Sequence, residues 1–179
     1  MRSAFTRHVA VIVTAMACVA MTAACGSSGE DPTGPRTAPG VREVNLSAPV
    51  VKQKVLVPGT LNDYVTIGVI SLDVHGKLMV LNLVFTPDFA SVTASKPISL
   101  DDMLGKTGFG PWLLDTTNLK SYAALDDGGL KSSNDGVKTT NKVPVYVWAT
   151  FALPEGDVEA IDLYIKTAWP AFTNIPITR

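Results

Sequence analysis

Cysteine is nearly absent. The 179 residues hold two, Cys18 and Cys25, which excludes a disulfide-dense scaffold and any cysteine-based zinc cluster. Histidine is as scarce, with His8 and His75 the whole supply, too little for an imidazole-rich transition-metal site. Charge is also sparse: 17% of residues are charged, and 15 basic against 16 acidic side chains give a formal −1. That balance leaves no broad electrostatic footprint for nucleic acid or for an anionic membrane face. Several catalytic and binding patterns are missing as well: Gly-x-Ser-x-Gly, Ser-x-x-Lys and the EF-hand spacing. There is no internal repeat. What the chain does have is apolar residues, 46% of the total, so it is not compositionally disordered. Its length suits one domain.

The first residues read as an address. Met1 to Arg7 carries Arg2 and Arg7 and no acid, and Val9 to Ala24 is free of charge and rich in Val, Ala and Met. A basic start, an apolar middle and small residues at Ala23-Ala24 read as a secretory signal peptide over 1–24, with an uncleaved anchor as the alternative because no charge appears after Arg7 until Glu30. The apolar run falls short of the roughly 20 residues that span a bilayer comfortably. Removing 1–24 leaves thirteen basic against sixteen acidic residues, a formal −3, and takes Cys18 and His8 away. Residues 26–40, GSSGEDPTGPRTAPG, have no apolar periodicity and read as a linker, flexible at the Gly/Ser end and stiffer towards the prolines.

Residues 41–179 form the expected folded domain. Candidate strands are Val50–Val57, Tyr64–Val74, Lys77–Phe85, Pro97–Leu100, Trp112–Asp115, Ser121–Leu125, Val143–Leu153, Glu159–Lys166 and Phe172–Ile177. The clearest alternation sets Val145, Val147, Ala149 and Phe151 on one face and Tyr146, Trp148 and Thr150 on the other. Ile161, Leu163 and Ile165 alternate likewise with Asp162, Tyr164 and Lys166. His75-Gly76 reads as the loop of a tight hairpin, Gly68 as a bulge where the apolar phase slips, and Ser99 as the cap of one helical turn with Asp102 three residues on. Eight or nine short antiparallel strands with little helix predict an all-β sandwich.

Chemistry-bearing residues are few. His75, in its turn, is a poor partner for a nucleophilic serine. Asp101-Asp102, Asp126-Asp127 and Asn134-Asp135 could offer oxygen ligands to calcium, yet Asp-Gly pairs are what turns use. Gly105-Lys106-Thr107 echoes the tail of a phosphate-binding loop, but Leu100 stands where the earlier glycine belongs. Asp73, Asp115, Asp157 and Asp162 could supply paired carboxylates, which sequence alone cannot pair. Trp112, Trp148, Trp169, Tyr146 and Tyr164 remain as recognition candidates. If the strands of Tyr146/Trp148 and of Tyr164 pair, those three would form a partner-contact patch suited to a protein or a glycan. No metal, cofactor or nucleic acid is expected, and no catalytic residue is assigned.

Two resemblances add to this reading. Ala23-Ala24-Cys25-Gly26-Ser27-Ser28 resembles the lipobox of bacterial lipoproteins, with Thr22 where that family usually carries an aliphatic residue. The resemblance implies cleavage before Cys25, acyl chains on it, and membrane attachment at the extracytoplasmic face. Leu114-Asp115, Tyr122, Leu125-Asp126-Asp127-Gly128, Val145–Pro154, Val158–Leu163 and Pro170–Ile177 together are similar to the immunoglobulin-like envelope domains of actinobacterial lipoproteins, including those placed ahead of OmpA-like domains. Relatives often carry a cysteine pair after the Asp-Gly turn, where this chain has Leu130-Lys131-Ser132-Ser133. The expectation is therefore a non-enzymatic, lipid-anchored envelope module with an unidentified envelope protein or glycan as partner. A small-solute binder is the alternative, and an envelope hydrolase stands further off.

Overall fold

The computed structural model describes residues 45–126 and 128–179. The expected signal peptide, Cys25 and the linker lie outside the described residues, as does Asp127.

Alternation drives the first sheet. β1 (Val51–Leu56), β2 (Asp63–His75), β3 (Leu78–Phe89) and β8 (Val145–Ala152) pair antiparallel in the order β1-β2-β3-β8. β5 (Trp112–Asp115), β6 (Lys120–Ala123), β9 (Ala160–Tyr164) and β10 (Phe172–Pro176) form a second sheet in the order β10-β9-β5-β6. A two-residue pairing of β4 (Ile98–Ser99) with β7 (Lys138–Thr139) links the connecting segments. The described residues thus form the all-β sandwich that their periodicity predicts, with one short helix among them, α1 (Leu100–Met103).

The inner faces meet in one core. Val65, Ile67 and Val69 of β2, Leu81, Leu83 and Phe85 of β3, and Val147, Ala149 and Phe151 of β8 pack against Leu113, Ile161, Leu163, Phe172 and Ile175 of the other sheet. Ser99 caps α1 as its sequence implies: its hydroxyl accepts from the Asp102 N–H at 3.1 Å, while the Asp102 carboxylate accepts from the Ser99 N–H at 2.9 Å.

Two local readings need correction. The register slip in β2 falls between Val69 and Ser71, so Ile70 is the bulged residue and Gly68 stays in register opposite Lys52 and Val84. Gly68 is glycine for a different reason. A Cβ there would lie 2.8 Å from both Pro49 and Val84 side chains. At the hairpin, His75 is the last paired residue, opposite Leu78, and Gly76-Lys77 forms the turn. Gly76 carries the positive φ of 65°, so it alone meets the backbone demand attributed to the His-Gly pair.

Open sheet edges invite wrong pairing, and crossing segments cover parts of the first sheet's edges here. Along β8, the Leu125 and Ser132 N–H groups donate to the Thr150 and Trp148 carbonyls. Beyond the end of β1, the upper part of β2 is flanked by Thr178: Val74 N–H donates to its carbonyl at 2.8 Å, and its own N–H donates to Leu72 at 2.9 Å. Trp169 donates its indole N–H to the Leu56 carbonyl, and Gln53 donates its amide to Ala171, tying the edge at β1 to the β9–β10 connection.

Candidate functional site

The three aromatics expected to share a patch are divided between the two sheets. Tyr146 and Trp148 stand on the outer face of β8, in the first sheet. Tyr164 stands on β9, in the second. β8 pairs with β3, not with β9, so the single patch of Tyr146, Trp148 and Tyr164 does not form. Local alternation set each side chain on the correct face of its own strand but carried no information about which strands pair.

Around Tyr146 the structure is packed and hydrogen-bonded. Trp148 is 3% exposed and clusters with Val80 and Tyr146. The Tyr146 hydroxyl donates to Asn82 Oδ1 at 2.6 Å. The Asn82 amide donates to Ser71 Oγ and to Asp73 Oδ2, each at 2.9 Å, and the Ser71 hydroxyl donates to the same Asp73 oxygen at 2.5 Å. Such a chain of satisfied polar groups fixes the bulged part of the sheet.

Tyr164 finds another partner. Its ring lies parallel to Trp112, with an interplanar angle of 8° and centroids 5.1 Å apart, across the β5–β9 pair. Leu114 and Asp162 form the next row of the same outer face. Both rings are half-buried, giving the second sheet an aromatic outer surface.

The carboxylates work at separate turns. Asp115 accepts from the N–H groups of Thr117 and Asn118 and from the Asn118 amide, and that amide together with the two N–H groups holds its carboxyl below the usual range. Asp162 accepts from the Asn174 N–H at 2.9 Å. Asp126 pairs with Lys131 at 2.9 Å. Among the described residues, no three His, Cys, Asp or Glu side chains converge as metal ligands, and no helix is long and apolar enough to cross a membrane. His75 is exposed at its hairpin.

A concave site lies at the opposite end of the sandwich from that hairpin. The β1–β2 turn, the segment following β3, and the residues around α1 enclose a cleft of about 460 Å³. Buried Val57, Phe89 and Ile98 contribute apolar surface to it, with Pro58, Pro97 and Val92. Asp63, which is 5% exposed, accepts from the Ser91 N–H at 3.0 Å and from its hydroxyl at 2.5 Å, hooking the segment after β3 over the cleft. On the far side Gly105 packs so closely on the β1–β2 turn that a Cβ would lie 2.6 Å from the Pro58 carbonyl oxygen. Gly105 and Lys106 both have left-handed backbone, with φ of 67° and 64°. Glycine takes that conformation freely; lysine is held there at some cost. The Lys106 ammonium pairs with Asp102 at 2.6 Å. Burial would raise the Asp102 carboxyl, but hydrogen bonds from Lys106 and Ser99 and the Lys106 charge outweigh it and bring it to about 2.

Sequence reasoning missed this site. Its one signal was Gly105-Lys106-Thr107, set aside because the spacing of a phosphate-binding loop was wrong; the glycine instead serves a close approach between two loops. No family model matches the chain, no curated protein matches its sequence, and no solved structure matches it.

Proposed function

We propose that this protein is a bacterial cell-envelope lipoprotein, anchored through acyl chains on Cys25, whose sandwich serves as a non-catalytic interaction or structural module at the extracytoplasmic face of the membrane. The observation that carries the reading is the N-terminal pattern: two arginines, a charge-free apolar run, and Ala-Ala-Cys25 followed by a Gly/Ser/Pro-rich stretch. Two acyl chains at one point anchor stably where one is marginal.

The fold is consistent with the immunoglobulin-like kinship included in this proposal. From β2 onward, β2-β3-β8 faces β10-β9-β5-β6, and the chain changes sheets between β3 and β5, β6 and β8, and β8 and β9. Taking β2 as the first strand, this corresponds to an A-B-E sheet facing a G-F-C-C′ sheet, the arrangement of immunoglobulin-like sandwiches. Crossing segments cover parts of the first sheet's edges, and the sheet faces and loop ends offer further surface to a partner. The Trp112–Tyr164 pair is an aromatic surface on a sheet face that a protein or glycan could meet.

The test is the mass of the mature N-terminal peptide from membranes. Cys25 as first residue with acyl mass is the expected result, lost in Cys25→Ala. A lipid-free N-terminus elsewhere would overturn the anchor.

A further inference from the structure

We infer that the cleft between the β1–β2 turn, the segment following β3 and the residues around α1 binds a small amphiphilic anion, an apolar body bearing one carboxylate, sulfonate or phosphate group. This goes beyond the anchored-module reading and holds whether or not Cys25 carries lipid.

The volume of about 460 Å³ lies in the range of small-molecule sites. Its apolar surface is part of the folded core: Val57, Phe89 and Ile98 are buried there, so a ring or short alkyl chain would displace water from a surface already shaped. Hydrogen-bonding capacity at the rim is one-sided. Both Asp63 oxygens are taken by Ser91, and Asp102 is taken by Ser99 and Lys106, so the two carboxylates have already met donors from the protein. The lysines have not exhausted theirs. Each ammonium has three N–H donors. The Lys96 ammonium makes no hydrogen bond or ion pair among the described residues, its backbone N–H alone donating to the Thr93 carbonyl, and Lys106 remains two-thirds exposed while bound to Asp102. Spare donors at the mouth over an apolar floor select an acceptor-rich head on an apolar body.

The backbone supports the same conclusion. Left-handed Lys106 turns its side chain back over α1 towards the cleft, and the neighbouring Gly105 seats that turn on Pro58. A strained lysine beside a built cavity is where functional strain is expected. The Asp63–Ser91 hook fixes the other wall.

The probe is 8-anilinonaphthalene-1-sulfonate, titrated by fluorescence into the folded full chain carrying Cys25→Ser in every sample, with its neutral analogue N-phenyl-1-naphthylamine in parallel. One saturable site is expected for the sulfonate. Lys96→Ala should weaken the sulfonate about fivefold, the effect of one partly exposed ion pair, and leave the neutral analogue unchanged. Val92→Trp, filling the cleft from its wall, should abolish both. Circular dichroism establishes that each variant is folded, and Lys96→Arg should restore sulfonate binding if Lys96→Ala acts through charge. Absence of saturable binding, sulfonate binding indifferent to both Lys96→Ala and Val92→Trp, or equal loss of the two probes in Lys96→Ala would each overturn the inference.

Discussion

Replacing Asp102 with asparagine keeps the shape of the side chain and removes its charge, which isolates what that charge contributes. In the native chain Asp102 Oδ2 accepts from the Ser99 N–H at 2.9 Å and from its hydroxyl at 2.6 Å, and Oδ1 meets the Lys106 ammonium at 2.6 Å. Together these outweigh the burial that would raise the carboxyl and lower it from 3.8 to about 2. Each tenfold change in proton affinity is worth about 1.36 kcal/mol, so the unscreened difference approaches 2.5 kcal/mol. The side chain is 35% exposed, however, and solvent screening reduces the expected effect to about 1 kcal/mol. The sign follows from the lowered value. The folded state binds this proton less readily than the unfolded chain, so the stabilisation is complete above pH 3.8 and is lost as pH falls towards 2. Urea unfolding of Asp102→Asn beside the native chain should therefore show a deficit of about 1 kcal/mol at pH 7 that shrinks to a small fraction of that by pH 2, where native Asp102 is itself about half protonated. A deficit of equal size at both pH values would refute the electrostatic account and leave only the geometry of the cap.

Two further substitutions test the packing. Leu163→Asp places a carboxylate at a fully buried position of the core, and the cost of an unpaired buried charge should leave no cooperative unfolding transition; a soluble, folded variant would show that the inner face of β9 has been misassigned. Gly105→Ala meets both a left-handed φ of 67° and the Pro58 carbonyl oxygen at 2.6 Å, so destabilisation of at least about 1–2 kcal/mol is expected in denaturant unfolding; an unchanged midpoint would mean that the two loops do not touch.

Much of the fold was legible because period-two alternation is a local signal. Trp112–Asp115 appears with the bounds expected from sequence, and the long strands differ by a few residues at their ends. The SLDDML turn was equally legible, since a capping box is written in four consecutive residues. What escaped was non-local. The pairing of Lys138–Thr139 with Ile98–Ser99 joins two short segments without periodicity of their own. Gly68 looked like a bulge because the apolar phase slips nearby, whereas its real constraint is Pro49 from outside the strand. Tyr164 was grouped with Tyr146 and Trp148 because their strands follow one another in the chain, yet that connection changes sheets. The cleft was the least legible of all. It takes residues from three separated segments, and neither the capping box nor Gly105-Lys106-Thr107 says that the β1–β2 turn and the segment after β3 meet there.

The place of Thr178 has a consequence for how the molecule is made. Its hydrogen bonds go to Leu72 and Val74, more than half the chain earlier. Synthesis runs from the N-terminus, so β2 and β3 exist as a long apolar hairpin well before the residues that cover its flank have been added. Contacts of such wide sequence separation are slow to close. During that interval the hairpin offers an uncovered edge to other chains. Removing only the last few residues should therefore alter folding yield and aggregation more than the small loss of buried area suggests.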